Sequence, residues 1–220
     1  HHDQNNSAMN PHPVKSYTEN LAQQVVDLWQ QKNFVNADFP DIASQVLLNN
    51  PFPENLTLET IGEFGLLSAD LPTPQQPMLD FGAPPIELFH HEHFRIEAYL
   101  WLDTTTTIHD HGFSGAFALI HGSSLHSQYS FTSDQQITEG VKQGELRFES
   151  CEVLHRYEIR KIVAGTRMVH SLFHLDSPSL TFCIRTNSEE KDHPQFNYIP
   201  PGIALSPFKI PPAIQMQQRL

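Results

Sequence analysis

Phe94-Arg95-Ile96-Glu97-Ala98-Tyr99-Leu100-Trp101-Leu102 is the stretch that decides the fold class. Its apolar members Ile96, Ala98, Leu100 and Leu102 alternate with Arg95, Glu97, Tyr99 and Trp101. A period of two belongs to a strand with two unlike faces. Working outward, further strand-like stretches fall at 115–121, 124–131, 144–150, 152–160, 167–175 and 179–186. Gly and Ser turns are expected at 122–124, 140, 144 and 165. No helical pattern separates these stretches, so a parallel β-α-β architecture is not expected. Short strands joined by turns imply an all-β sandwich or barrel.

Ahead of the strands the period is helical. Ser16 and Glu19 form a capping-box pattern that opens a helix over 16–32, with Leu21, Val25, Leu28 and Trp29 at helical spacing. A second helix is expected over 41–49, and Thr57 or Thr60 opens a third through Ile61 and Phe64. Five prolines make 71–86 a loop. The opening residues, up to Met9, resemble the end of a purification tag and linker. The expected organisation is therefore 1–14 apart from the fold, 15–88 as helices and loop packing on the barrel, 89–190 as the barrel, and 191–220 as a tail. Prolines 200, 201, 207, 211 and 212 make that tail an extended surface segment rather than a central strand.

The 220 residues carry a formal charge of −12, which argues against a nucleic-acid or anionic-membrane surface held by clustered Lys and Arg. Apolar runs such as Phe117-Ala118-Leu119-Ile120 fall far short of the about 20 residues a membrane span needs. Two cysteines, Cys151 and Cys183, make no disulfide framework, which points to a reducing, cytoplasmic setting. They lack the spacing and basic neighbours of a reactive thiolate. The excess that needs explaining is 14 histidines.

Ile108-His109-Asp110-His111-Gly112 is the most informative of the histidine stretches. In a strand, residues i and i+2 share a face, so the two imidazoles converge within reach of one ion. Neutral imidazole suits Fe, Zn, Cu or Ni, although a pair of surface histidines gives the same string. About sixty residues later comes Gly165 followed by His170 and His174, a glycine turn leading into a strand. This arrangement resembles the two motifs of the cupin superfamily, in which two histidines of the first motif and one of the second project into a small antiparallel jelly roll. The resemblance implies that His109, His111 and His170 are metal ligands. His174 stands where many cupins have Asn.

Many cupins add a Glu three or four residues after the second histidine; Gly115 and Ala116 occupy those places. A site of three histidines, with helices ahead of the barrel, is similar to the cysteine dioxygenase-like group. That likeness implies an Fe(II) centre, with Ni or Zn as other occupants, and a small-molecule substrate and O2 as partners. Departures from the group are specific. Thr181 and Cys183 stand where a His and a Tyr would be, no cysteine is placed for a crosslink, and Arg95 falls several residues after the group's carboxylate-binding arginine. Free cysteine is therefore expected to be a poor substrate, and a site without Glu should favour a metal-coordinating anion such as a thiolate.

Tyr99 and Arg185 are the candidate catalytic residues. If the Ser179, Thr181, Cys183, Arg185 face of its strand lines the barrel, Arg185 can hold an anion by a bidentate contact; an outward arginine at a strand end fits the sequence equally. Glu97, Tyr99 and Trp101 face the cavity or the outside. His90, His91 and His93 read as surface histidines, with a cavity rim as the other option, and His121, His126, His155 and His193 as solvated or core-satisfied. The leading functional reading is a non-haem Fe(II) dioxygenase. The alternatives are a non-catalytic metal- or ligand-binding cupin acting as a sensor or accessory domain, and a Zn or Ni hydrolase or isomerase.

Overall fold

The computed structural model describes residues 11–67, 85–102 and 105–209. The tag-like start, nearly all of the proline-rich loop and the last eleven residues lie outside them. Three helices come first: α1 (Pro13–Gln30), α2 (Phe39–Asn49) and α3 (Leu58–Leu67). The first begins earlier than the expected capping box at Ser16 and Glu19. Pro13 sets the helical φ, and His12 Nδ1 accepts from the Val14 N–H at 3.2 Å, so Ser16 already lies within the first turn. A short 3-10 turn over Asn36–Asp38 starts α2 two residues before position 41. Of the two candidates for α3, Thr57 opens it, its Oγ1 accepting from the Thr60 N–H at 3.2 Å.

The strands are β1 (Ile86–His90), β2 (Phe94–Trp101), β3 (Ile108–His111), β4 (Gly115–His121), β5 (Ser124–Thr138), β6 (Val141–Leu154), β7 (Ile159–Ile162), β8 (Gly165–His174), β9 (Ser179–Thr186), β10 (Asn197–Ile199) and β11 (Ile203–Leu205). One sheet runs β1-β2-β9-β4-β7, and the other closes on itself as β10-β11-β6-β5-β8-β3. Without β1, β10 and β11, the remaining eight antiparallel strands give β2-β9-β4-β7 against β3-β8-β5-β6. That interleaving of early and late strands is a jelly roll.

Alternation along the strands sorts residues among three interiors. Phe94, Ile96 and Ala98 of β2, Leu180, Phe182 and Ile184 of β9, and Ala116 and Ile120 of β4 face the helices, where they pack with Leu21, Val25, Trp29, Phe39 and Val46. The opposite faces of the same strands meet the second sheet, where Phe117, Leu119, Leu154, Ile162, Leu172 and Cys183 form a smaller core. Val169, Phe196, Tyr198 and Ala204, joined by Ile108, Tyr129, Phe131 and Leu146, fill the interior of the closed sheet.

Two expectations are corrected. The stretches 144–150 and 152–160 are not separate strands with a turn at Gly144. β6 runs from Val141 through the first stretch and into the second as far as Leu154, after which a turn leads to β7, and Gly144 is there because the Thr132 carbonyl approaches so closely that a Cβ would have no room. Its partner β5 extends likewise well beyond 131.

The described part of the tail, 191–209, is not merely a surface segment. Its two three-residue strands flank Pro200-Pro201 and fit between β3 and β6, closing the second sheet. The lock is Asp110, fully buried between the two histidines of β3: its Oδ1 accepts from Phe196 N–H and its Oδ2 from Tyr198 O–H, each at 2.6 Å. Tyr198→Phe removes one of these charge-assisted bonds and leaves carboxylate capacity unmet. It should cost about 1.5–3 kcal/mol in urea unfolding, with the fold retained. An unchanged midpoint would show that the tail is held by packing alone.

Candidate metal centre

The second interior opens into a cavity of about 140 Å³ between the two sheets. Among its lining residues are His109, His111 and His170, the aromatic rings of Tyr99, Trp101, Phe113 and Phe117, and the polar groups Arg95, Glu97, Thr181, Cys183, Arg185 and Glu190. This is room for a small molecule. Both questions of facing are thereby answered: β2 turns Glu97, Tyr99 and Trp101 inward, and β9 does the same with Thr181, Cys183 and Arg185.

The three histidines come together through register. His109 on β3 lies directly opposite His170 on β8, and an irregularity before His111 lets it pair with Gly165, whose positive φ of 79° turns the chain there. Their potential ligand atoms all lie within 4.8 Å of one another, and each residue is under 9% exposed. Ring centroids are 4.7 Å apart for His109 and His111, 4.8 Å for His109 and His170, and 4.9 Å for His111 and His170.

Burial lowers the pKa of His109 to about 4 and pushes those of His111 and His170 well below the ordinary value. All three are thus neutral at pH 7, the protonation state a ligand needs. Thr107 C=O accepts from His109 Nδ1 at 2.7 Å, which leaves the lone pair on Nε2. His170 Nε2 is buried with no hydrogen-bond partner among the described residues. An orphaned imidazole nitrogen beside two other neutral imidazoles is costly unless something binds it. This donor set fits a divalent transition metal.

Sequence reasoning missed a fourth histidine. His126, expected to be solvated or core-satisfied without any constellation, is 1% exposed, with Nε2 at 2.8 Å from His170 Nδ1 and Nδ1 at 3.1 Å from Glu152 Oε1. Glu152 in turn accepts from Arg160 Nε at 2.8 Å and Nη2 at 3.0 Å. The only available signal was parity: His126 is a polar residue two positions after Ser124 on a strand whose other neighbours lie far off in sequence.

The cavity wall differs from the cationic surface expected of a site lacking Glu. Arg185 Nη1 lies 3.5 Å from Glu97 Oε2, and its guanidinium sits 3.5 Å above the Phe113 ring. Tyr99 O–H donates to the same Glu97 oxygen. Arg95, which lies several residues after the position of the family's arginine, also lines the cavity, 3.4 Å from Glu87 and 3.8 Å from Glu97. Two arginines therefore face two carboxylates. Burial raises the Cys183 thiol, so it stays protonated. His90 and His93 are exposed, with His90 Nδ1 2.8 Å from Glu87 and His93 against Phe34.

His174 lies outside the cavity lining. It is 1% exposed, bonded through Nδ1 to Ser124 Oγ at 2.8 Å and stacked on Trp101 at 5.0 Å. Burial lowers its pKa from 6.5 to about 4. Unfolding therefore takes up a proton between those values. The contribution of His174 to stability is complete above about pH 6.5 and is lost as pH falls through 4, amounting to about 3 kcal/mol. In urea unfolding followed from pH 7 to 4, His174→Phe should show a shallower loss by that amount. An identical slope would assign the effect elsewhere.

The eight-strand order, with two inward histidines on β3 and one on β8, is the arrangement of strands that the sequence resemblance implies. The fold is that of the cupins. No protein-family model and no curated protein matches the chain. Among solved structures, hydroquinone 1,2-dioxygenase from Sphingomonas sp. TTNP3 aligns with 47% of this chain and 65% of its own at 10% identity and a TM-score of 0.36. An oxalate oxidase aligns with 58% of this chain and 57% of its own at 17% identity and a TM-score of 0.31. A cupin-2 domain protein from Shewanella frigidimarina NCIMB 400 does so with 45% and 76% at 10% identity and a TM-score of 0.30. This chain spans less than two thirds of the dioxygenase and of the oxidase. For this chain the fold rests on strand order, and the chemistry must come from the cavity. No helix among the described residues is long and apolar enough to cross a membrane.

Proposed function

We propose that this chain is a metal-dependent cupin of the non-haem Fe(II) dioxygenase type, acting with O2 on a small anionic thiol in a reducing, cytoplasmic setting. The observation that carries the reading is the convergence of three neutral imidazoles, one with an orphaned Nε2, in a small cavity also lined by Arg95 and Arg185. His109, His111 and His170 would hold the ion. Bound there, iron would supply the redox chemistry that joins O2 to substrate. Three neutral ligands leave its charge unbalanced, which favours an anionic substrate group.

The chain's own residues bind, orient and shield. Arg185, backed by the Phe113 ring and steered by Glu97, presents its remaining N–H groups to a second anionic group of the substrate. Tyr99 holds Glu97 in place, so the tyrosine acts through the Glu97–Arg185 pair. Trp101, Phe117 and Leu172 exclude water from the reacting end. Cys183 stays a protonated wall group.

The test is metal analysis of protein isolated without added ions, followed by O2 consumption with a panel of small thiols that includes cysteine. Iron with thiol-dependent uptake supports the reading. Iron or nickel without uptake replaces it with a metal-binding module, and zinc with hydrolytic turnover replaces it with a hydrolase.

A further inference from the structure

We infer that His126 is a positioning residue for His170, fixing its tautomer through a hydrogen-bonded chain that begins at the Glu152–Arg160 ion pair on the outside of the barrel. This rests on the metal reading of the three histidines, but the argument runs from the opposite end.

A carboxylate only accepts, so the proton between Glu152 Oε1 and His126 Nδ1, 3.1 Å apart, belongs to the imidazole. A neutral imidazole has one N–H, which leaves His126 Nε2 with a lone pair. The 2.8 Å contact between His126 Nε2 and His170 Nδ1 must then be donated by His170. Its own single N–H being used, His170 is left with the lone pair on Nε2, the buried atom without a partner that faces His109 and His111. The site is thus preset for an ion from outside in.

Backbone register makes the chain rigid. His126 on β5 is the direct cross-strand partner of Glu152 on β6 and a diagonal neighbour of His170 on β8, which pairs with Gln128. Arg160 comes from β7 in the other sheet and grips Glu152 with a two-pronged contact at 2.8 and 3.0 Å. Both sheets therefore fix the orientation of one imidazole. Phe117 closes the remaining side, its ring edge-on to His126 at 6.0 Å and to His170 at 6.1 Å. Partners of this kind on the outer nitrogen of a ligating histidine typically contribute 10- to 100-fold in metal affinity.

Three variants separate the hydrogen bond from packing. His126→Phe keeps a ring and removes the acceptor. His126→Gln restores an acceptor toward His170 and a donor toward Glu152. Glu152→Met breaks the chain at its partly exposed outer end and leaves the buried His126–His170 pair in place. Imidazole 15N–1H spectra of the metal-free proteins report the tautomer of His170, and competition with a chelator gives the affinity for Zn2+ and Ni2+.

Wild-type protein should show the Nδ1–H form of His170. His126→Phe should lose it and bind both ions roughly 10- to 100-fold more weakly. His126→Gln should recover most of the affinity, and Glu152→Met should weaken binding in the same direction by less. Unchanged tautomer and affinity in His126→Phe, or in Glu152→Met should the former not fold, would overturn the inference while leaving the metal site intact. Wild-type protein that binds neither ion would instead remove the metal reading, with the spectra still deciding the tautomer.

Discussion

His170→Ala should abolish stoichiometric metal binding. Two neutral imidazoles remain, and two such ligands do not hold a divalent ion firmly against water. Since loss of an outer hydrogen-bond partner alone weakens binding by roughly 10- to 100-fold, loss of the ligand itself should exceed roughly 100-fold. His109→Ala and His111→Ala should match it, because the three rings lie at nearly equal spacing around one point. Metal content after dialysis and a binding isotherm are the measurements. The control is a triple substitution of His90, His91 and His93 by Gln. His91 and His93 pack against Trp29, Phe34 and Phe94, while exposed His90 bonds Glu87, and removing the three should leave stoichiometry unchanged. Full occupancy in His170→Ala, or a metal-free triple variant, would mean that the ion is held elsewhere.

How far this site could be read in advance follows from the range of each interaction. The alternation over 94–102 and 179–186 is local, so it sorted Ile96 and Phe182 from Glu97 and Arg185 before any coordinates; only which face was inward stayed open. The pair His109 and His111 is local as well. His126 was invisible because both its partners, Glu152 and His170, come from other strands and no local pattern links the three. The same holds for β10: strands of three residues around two prolines give no periodicity, and what holds them is Asp110, a residue that reads as mere punctuation between two ligands. The helices were placed by their apolar stripes, but α1 began at Pro13, since a proline and a histidine cap outcompeted the capping box downstream.

The charge of the cavity is the finding that most reshapes the functional argument. Without the motif Glu, a site with arginines would be strongly positive once an ion is bound. Glu97 and Glu87, placed on adjacent strands β2 and β1, face Arg185 and Arg95 and balance them. An ion held by the three neutral imidazoles would add its charge to a cavity whose arginines already have carboxylate partners. On the proposed reading that ion would draw one anionic group of the substrate. Arg185, 15% exposed in its side chain and already oriented by Glu97, would then be left for a second anionic group.

Arg185→Ala should therefore raise KM for the thiol substrate steeply while the metal stays bound. Losing a buried charge-assisted contact of about 2–4 kcal/mol corresponds to roughly 30- to 1,000-fold in kcat/KM. The effect should appear chiefly in KM, since the guanidinium holds the substrate in ground state and transition state alike. The simple truncation also leaves Glu97, 3% exposed, without its nearer cation, so part of any loss could reflect a distorted wall. Pairing Arg185→Met with Glu97→Gln removes both charges together and preserves volume; it should show the same rise in KM with metal content and unfolding midpoint near wild type. Arg185→Lys should fall between, because an ammonium keeps the charge but lacks the planar fork and the stack on Phe113. Thiol oxidation with unchanged KM in the double variant would place the substrate's second anionic group away from Arg185, as would efficient oxidation of free cysteine that none of these substitutions affects.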